Sequence, residues 1–203
     1  HDVATDLARS ILTELTLSPL ADTIRVVAIG DLVENDVAVL EHLTVADSWD
    51  DLADDLTAWA SQSHRALAEN GWPTPFVARA HEPAHDAMSP IVVVADRPPP
   101  TELAETLRTQ SPAAVAAVVV GEFAGVVARV RCEPDALYLE HLNLACTPQR
   151  MDRDELQQVA TLLAATEQPA DEDSVDGSAA VAPANGSVPV DPTSGGDPDE
   201  PWP

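Results

Sequence analysis

Apolar residues recur at helical spacing in several stretches of the chain, and capping residues mark where those stretches start and stop. From Val3 to Leu15 an apolar residue stands at every fourth position, and a proline follows soon after. A second stretch of apolar residues at helical spacing begins after Ser48, a good N-cap residue, and ends before Gly71. The predicted helices span 2–17, 34–41, 48–70, 101–109 and 152–166. Thr101 is the predicted cap of the fourth helix, and Asp152 with Glu155 forms a capping box at the start of the last.

Between these helices lie short runs of β-branched and small apolar residues, which are typical of strands buried on both faces. The predicted strands cover 24–29, 42–45, 91–95 and 113–120. A loop containing several prolines is predicted between Gly71 and Ile91. Because strands and helices alternate, the pattern predicts a parallel sheet covered by helices on both faces.

The pattern changes near residue 126. Residues 126–132 alternate apolar and polar side chains, a turn follows at 133–135, and the alternation resumes at Leu137. This predicts an antiparallel meander of two or three strands at the edge of the sheet. The fold class is therefore α/β, a Rossmann-like three-layer domain with a mainly parallel sheet and an antiparallel edge meander. Since no strand precedes the first helix, we expect a further strand upstream of His1.

The composition changes sharply after residue 166. Residues 167–203 contain no basic residue and almost no large apolar residue, and they are rich in Pro, Gly, Ser and Asp. Such a segment cannot bury enough apolar surface to offset its ordering entropy. We therefore predict an α/β domain over 1–166 and a disordered acidic linker over 167–203.

The charge of the chain excludes several functions. It has 35 acidic and 10 basic residues, a formal net charge of −25, and every basic residue is an arginine. Without lysine there is no P-loop lysine, no Schiff-base lysine and no Ser-Lys dyad. Phosphate backbones require clustered positive charge, so we expect no direct contact with nucleic acid. The longest apolar run, 113–120, is far below the roughly 18–20 residues of a spanning helix, so we expect no membrane insertion.

One motif matches a known metal site literally. His81, Glu82 and His85 fit H-E-x-x-H, in which two histidines on one helix face bind zinc and the glutamate acts as general base. Glu105 is a candidate third ligand. Pro83 opposes this assignment, because a proline inside a helix costs about 3 kcal/mol. The preferred interpretation is a polar surface loop, and a zinc-dependent hydrolase using these residues is the alternative.

The strand ends offer weaker candidates. Asp31 and Asp96 each follow a predicted strand, at the edge where α/β sheets place ligands, and together they would suit a cation. The sequence contains neither the dinucleotide-binding G-x-G-x-x-G nor the nucleophile-elbow G-x-S-x-G. We therefore assign no catalytic residue, no metal site and no cofactor.

The meander carries the remaining candidates. Cys132 and Cys146 are interpreted as two buried free thiols, and His141 with Cys146 as structural residues rather than a catalytic dyad. Arg129 and Arg131 form a small basic stripe on the exposed strand face, which we expect to pair with neighbouring acids.

Several short segments together resemble one bacterial family. The segments are 15–22 (LTLSPLAD), 48–52 (SWDDL), 90–94 (PIVVV), 98–100 (PPP), 142–151 (LNLACTPQRM) and 162–165 (LLAA). They resemble the middle, cytoplasmic region of large actinobacterial membrane proteins. Those proteins join transmembrane helices and a LysM peptidoglycan-binding module to this α/β region, an acidic linker, a winged helix and a bacterial transcriptional activator domain. The resemblance covers about 1–166, and 167–203 fits the linker.

The resemblance implies a role but no site residues, because its segments contain no catalytic motif. It implies a non-enzymatic scaffold or sensor module in the cytoplasmic part of a membrane-anchored, transcriptional-regulator-like protein. Its contacts would be a protein partner or other domains of the same polypeptide. A degenerate nucleotide-binding domain that has lost its phosphate loop is a further alternative.

Overall fold

Short strands rich in valine and alanine form a parallel sheet. A computed structural model of the chain describes residues 3–19, 21–33, 42–83 and 88–167. Within them, the strands of this sheet are β1 (Arg25–Ile29), β2 (Leu43–Ala46), β3 (Ile91–Ala95) and β4 (Val115–Val119). All are parallel and lie in the order β2-β1-β3-β4, with Val93 between Val27 and Ala117. The predicted mainly parallel sheet is confirmed.

Helices cover both faces of this sheet. They are α1 (Val3–Leu17), α2 (Ala53–Asn70), α3 (Pro75–His81), α4 (Thr101–Thr109) and α5 (Arg153–Glu167). Leu12 of α1 and Leu156 of α5 share one core cluster with Val94. Leu56 of α2 and Leu103 of α4 share a second cluster with Val93, on the opposite face. The three predicted layers are therefore present.

Helix α1 is buried on a different stripe from the predicted one. The apolar residues at four-residue spacing are only half-buried, whereas Ala8, Leu12 and several polar residues are buried. The buried Arg9 donates from Nη1 to Asp6 Oδ1 and from Nε to the carbonyl of Leu32, each at 2.9 Å. The buried Thr13 and Thr16 donate from their hydroxyls to the carbonyls of Arg9 and Leu12, so these polar side chains also have hydrogen-bond partners.

Strand β4 is an exposed edge, which corrects the prediction of a buried strand over 113–120. Ala116 and Ala117 are exposed, and β3 pairs with one side of the strand. In the part of the chain that the structure describes, no strand pairs with its other side. A run of small apolar residues is compatible with an edge strand as well as with a central strand of a sheet. The sequence pattern alone therefore could not distinguish these two positions.

Helix α2 starts later than predicted. Ser48 is not its N-cap, because the backbone N–H and hydroxyl of Ser48 donate to Asp51 Oδ2 at 2.9 and 2.8 Å. These bonds close a separate turn, and the helix begins at Ala53. At the other end, Gly71 has a left-handed φ of 68°, as expected of a residue just past a helix.

Helix α3 lies where a loop was predicted. Thr74 is its N-cap, with Oγ1 accepting from the backbone N–H of Val77 at 3.2 Å. Pro75 occupies the first turn, where its missing N–H is not needed. Helix α4 is found as predicted, except that Pro100 stands at the N-cap and Thr101 is the first helical residue.

The capping box of α5 is confirmed. The Asp152 N–H donates to Glu155 Oε2 and the Glu155 N–H donates to Asp152 Oδ1, both at 2.8 Å. Leu156 and Ala160 are buried behind it. Leu162, predicted on the same apolar face, is 68 % exposed.

The antiparallel meander is confirmed, but it forms a sheet of its own rather than an edge of the parallel sheet. Its strands are β5 (Val130–Cys132), β6 (Leu137–Leu139) and β7 (Leu144–Cys146). Strand β6 pairs with β5 on one side and β7 on the other, so its hydrogen bonds are satisfied within the meander. Val126 and Val127, predicted in its first strand, precede β5 and are exposed.

Two predicted elements lie outside the described residues. They are the short helix over 34–41 and residues 168–203 of the acidic linker predicted over 167–203. Glu167, the first residue of that predicted linker, is instead the last residue of α5. Among the residues that are described, no helix is both long enough and apolar enough to cross a bilayer.

Candidate functional site

The order of the parallel strands creates a crevice between β1 and β3. Strand β2 lies on one side of β1, whereas β3, the next strand along the chain, lies on the other. Open parallel sheets bind ligands at the carboxyl ends of the strands where the order reverses in this way. Here β1 leads into Gly30 and Asp31, and β3 leads into Asp96 and Arg97.

Gly30 allows these two strand ends to approach each other. It has a φ of 81°, and a side-chain carbon at this position would clash with the Asp96 carboxylate. The Asp96 N–H donates to the carbonyl of Ile29 at 3.2 Å, which holds the two ends together. Only glycine fits this close approach without moving Asp96.

The Asp96 carboxylate is held by donors on both strand ends. Arg97 donates from Nε to Oδ1 at 2.7 Å and from Nη2 to Oδ2 at 3.2 Å, and the Asp31 N–H donates to Oδ2 at 2.8 Å. Partial burial acts to raise the pKa of Asp96, but these hydrogen bonds and the Arg97 charge bring it below its ordinary value. The Asp96 hydrogen bond and charge, with a smaller contribution from Asp31, raise the pKa of Arg97.

Two longer-range contacts tie neighbouring elements to these strand ends. Trp49, just before α2, donates from Nε1 to the carbonyl of Arg97 at 2.9 Å. Arg153, the first residue of α5, donates from Nη2 to the carbonyl of Asp31 at 3.0 Å. The start of α5 and the turn before α2 are therefore both attached to the crevice.

The result is an open cleft of about 420 Å³. Its lining residues are Gly30, Asp31, Val33, Val45, Asp47, Arg97 and Arg153. The two aspartates and two arginines give it groups of both signs whose formal charges cancel, and the two valines add an apolar patch. A cleft of this volume is large enough for a small metabolite.

The structure brings Asp31 and Asp96 to the same edge of the sheet, as their positions predicted. They meet through the backbone N–H of Asp31 rather than as two carboxylates facing an ion. Within the described ranges, no group of three or more His, Cys, Asp or Glu side chains is placed to hold a metal ion.

The H-E-x-x-H residues do not share one helix. Helix α3 ends at His81, and Glu82 is its C-cap with a φ of −139°. Both side chains are exposed, and His85 lies outside the described residues. Glu105 is exposed on α4. The helix that would place two histidines on one face is therefore interrupted inside the motif.

The cysteines are less buried than predicted. Both are free thiols, with Cys132 half-buried and Cys146 exposed, because strand pairing places them on either side of Leu137 in a sheet that buries little else. His141 is exposed in the short helical turn between β6 and β7.

The two arginines of the predicted basic stripe differ. Arg131 pairs with Glu133, as expected, and lies over the Tyr138 ring with 4.2 Å to its centroid. Arg129 instead donates to the carbonyl of Phe123 at 3.4 Å.

Sequence reasoning missed three residues of the cleft, namely Asp47, Arg97 and Arg153. Arg97 and Asp47 each follow the end of a strand, so the rule that singled out Asp31 and Asp96 could have found them. Arg153 lies 122 positions from Asp31 and carries no local signal for this contact.

Comparisons with protein-family models, with curated proteins and with solved structures find no significant match to the chain.

Proposed function

We propose that this domain is a non-enzymatic sensor module that binds a small zwitterion of the amino-acid type in the cleft between β1 and β3. The observation that carries the proposal is the position of a charge-balanced cleft at the switch point of the parallel sheet. Asp96, which accepts hydrogen bonds from the Asp31 N–H and from Arg97 beside the cleft, is a structural group. Its lowered pKa keeps it ionised at neutral pH, so it is unsuited to donate a proton as a general acid.

The charges of the lining select the ligand. Arg97 and Arg153 offer donors to a carboxylate, and Asp31 and Asp47 offer acceptors to an ammonium group. A polyphosphate would meet two aspartates in the cleft and a chain of net charge −25 around it. A zwitterion satisfies both signs without adding net charge.

Helix α5 links the cleft to the rest of the chain. Its first residue, Arg153, contacts the Asp31 carbonyl, and its last residue, Glu167, leads into the acidic segment that follows. A ligand that binds Arg153 better in one position of α5 than in another shifts the helix toward that position. This gives the module a route from ligand binding to its C-terminal neighbours.

The wider setting comes from the resemblance of 1–166 to the middle region of actinobacterial LysM and transcriptional activator proteins. We place the module in the cytoplasmic part of such a membrane-anchored, regulator-like protein. Its partners are other domains of that polypeptide or a protein that docks on it. The segment makes no direct contact with nucleic acid, consistent with its acidic surface.

Thermal unfolding with a ligand panel tests the proposal. The panel contains the common amino acids, adenine and guanine nucleotides, neutral sugars and zinc. One zwitterion present at 100 times its Kd stabilises the fold by about 2.7 kcal/mol. Arg153→Gln removes a charge-assisted hydrogen bond and weakens binding at least tenfold, on the order of 1.5 kcal/mol or more. Arg108→Gln, on the exposed end of α4, is the matched control and leaves binding unchanged.

Two other results would contradict it. Stabilisation by nucleotides alone, lost in Arg153→Gln, would identify a degenerate nucleotide-binding domain. One equivalent of zinc, lost in His81→Ala and in His85→Ala, would support the hydrolase instead.

A further inference from the structure

The charges at the cleft do not cancel once Asp96, which lies beside it, is counted. Asp96 accepts hydrogen bonds from Nε and Nη2 of Arg97, so the positive charge of Arg97 is balanced before any ligand binds. The other charged groups of the lining are Arg153, Asp31 and Asp47. Two carboxylates and one guanidinium leave these groups with a net negative charge.

The charged groups of the cleft follow three neighbouring strand ends. The Gly30 N–H donates to the Ala46 carbonyl at 3.3 Å, which continues the pairing of β1 with β2. Asp31 and Asp47 come directly after these two residues. Arg97 follows β3, on the other side of β1. From the end of β2 to the end of β3 the sheet spans two strand spacings, about 10 Å, so Asp47 lies on the side of the cleft away from Arg97.

Asp31 lies between these two ends and acts together with Arg97. The hydrogen bond and charge of Asp96 raise the pKa of Arg97, and the charge of Asp31 adds to them. Asp96 accepts from two of the five N–H donors of the guanidinium, so donors remain for a ligand carboxylate. The ammonium and carboxylate of an amino acid share one carbon atom, which suits Asp31 and Arg97 but is too compact to reach Asp47 as well.

The apolar part of the lining suits an aliphatic chain that leads to Asp47. Val45 stands two positions before Asp47, and both residues line the cleft together with Val33. Basic side chains pack their methylene groups on apolar surface and keep the charged end in polar surroundings. A ligand chain that packs on Val45 therefore brings a terminal cation to Asp47. The cleft volume of about 420 Å³ accommodates such a ligand.

The charge of the whole chain acts in the same direction. The net charge is −25, and Asp50 and Asp51 follow Asp47 in the sequence. A field of this sign raises the local concentration of cations and lowers that of anions. It favours a ligand with a net positive charge over a neutral or an acidic one.

We propose that the cleft binds a basic amino acid, whose side-chain cation is held by Asp47. Its α-ammonium group contacts Asp31, and its α-carboxylate accepts hydrogen bonds from Arg97 and Arg153. This assignment rests on the proposed function of the cleft and narrows the ligand from zwitterions in general to those with one net positive charge. Such a ligand offsets the negative charge of the lining, whereas an acidic amino acid would add to it.

Calorimetric titration of residues 1–203 with matched ligands tests the assignment. Lysine is compared with norleucine, which lacks the side-chain ammonium group, and arginine with citrulline, which is neutral in its side chain. One of the basic amino acids should bind about tenfold more tightly than its neutral counterpart, because it gains a charge-assisted hydrogen bond. Cadaverine, which is lysine without its carboxylate, measures the general attraction of cations to an acidic chain. It should bind about tenfold more weakly than lysine.

Two substitutions separate recognition by Asp47 from general electrostatics. Asp47→Asn should weaken binding of the basic amino acid about tenfold and leave its neutral counterpart unchanged. Asp50→Asn removes the same charge three positions away, from a residue that does not line the described cleft, and should leave both Kd values unchanged. Both positions are exposed, so the two variants should unfold at the wild-type midpoint.

The results that would overturn this inference differ from those that would overturn the sensor proposal. Equal affinities within both matched pairs would leave the sensor proposal standing and remove the preference for a basic ligand. Equal losses in Asp47→Asn and Asp50→Asn, or cadaverine binding as tightly as lysine, would reduce the preference to non-specific attraction of cations. Binding of no amino acid at all would contradict the proposed function itself, and this inference with it.

Discussion

The two sheets of this protein are made from similar residues and are buried very differently. Strand β3 of the parallel sheet has four buried residues out of five, whereas β7 of the meander has none out of three. The parallel sheet lies between two layers of helices, and the meander has Leu137 as its buried residue in the described part of the chain. Valine and leucine content alone therefore does not determine burial; the helices on both faces do.

The difference has a functional side as well. The cleft lies at the carboxyl ends of the well-buried sheet, where Gly30 and Asp96 are fixed by several contacts. The meander has few buried apolar contacts, so we expect it to open locally at lower free energy than the parallel sheet.

The largest expected loss of stability distinguishes the parallel sheet from the meander. Leu12→Ala empties a fully buried position under the parallel sheet and should lower the free energy of unfolding by about 3 kcal/mol. Leu144→Ala, at a position 51 % exposed on the meander, is the matched control, with about 0.5 kcal/mol expected for a surface site. Urea unfolding measures both, and equal losses would contradict the contrast.

A second pair of substitutions compares two glycines with similar backbone conformations. Gly30 and Gly125 have φ values of 81° and 83°. A Cβ at Gly30 would meet the Asp96 carboxylate, whereas a Cβ at Gly125 would meet no described residue beyond its chain neighbours within 4 Å. Each change to alanine costs about 1 kcal/mol from the left-handed conformation. Gly30→Ala should cost roughly 1–2 kcal/mol more, because it displaces the Asp96 carboxylate from its hydrogen bonds. Identical unfolding midpoints for the two variants would mean that Asp96 moves aside freely.

The third prediction compares ion pairs at the two sheets. Asp96→Asn should lower the free energy of unfolding by about 1 kcal/mol near neutral pH, because the folded state lowers the pKa of Asp96. This stabilisation is complete above the unfolded pKa of about 3.9 and is lost as the pH falls through the lower folded value. The difference between wild type and variant should therefore be constant above about pH 5 and shrink below about pH 4.

Glu133→Gln supplies the control for that measurement. It breaks the pair with Arg131, whose two side chains are 55 % and 44 % exposed. We expect a loss of about 0.5 kcal/mol or less. A larger loss here than at Asp96 would show that the meander depends on its surface charges.

The smallest expected effect concerns the ring of Tyr138. Tyr138→Leu keeps an apolar side chain but removes the aromatic face beneath the exposed Arg131, which should cost about 0.5 kcal/mol. Leu137→Ala, at the buried neighbour, should cost about 2 kcal/mol. If Tyr138→Leu proved the more damaging variant, the meander would be held by its outer face.

The elements that could be predicted from the sequence are those specified by local contacts. The Asp152–Glu155 capping box and the Gly71 helix end involve residues a few positions apart, and both were found as predicted. Helix α3 was missed because its prolines indicated a loop, although Thr74-Pro75 is also a good helix start.

What could not be predicted depends on distant packing. The exposure of β4 depends on which strands lie beside it, and the buried Arg9 binds the carbonyl of Leu32, 23 positions along the chain. At the strand ends that form the cleft, Asp31 and Asp96 could be placed because parallel strands end at one edge. The approach of Arg153 to Asp31 brings together distant parts of the chain and required the structure.

The most direct test of the sensor proposal is an amide chemical-shift titration of residues 1–203 with a mixture of the common amino acids. We predict saturable shifts at Gly30, Asp31, Arg97 and Arg153, which disappear in Arg153→Gln and persist in Arg108→Gln. An absence of shifts around the cleft, or saturable shifts confined to another surface, would contradict the proposal that this cleft senses a small zwitterion.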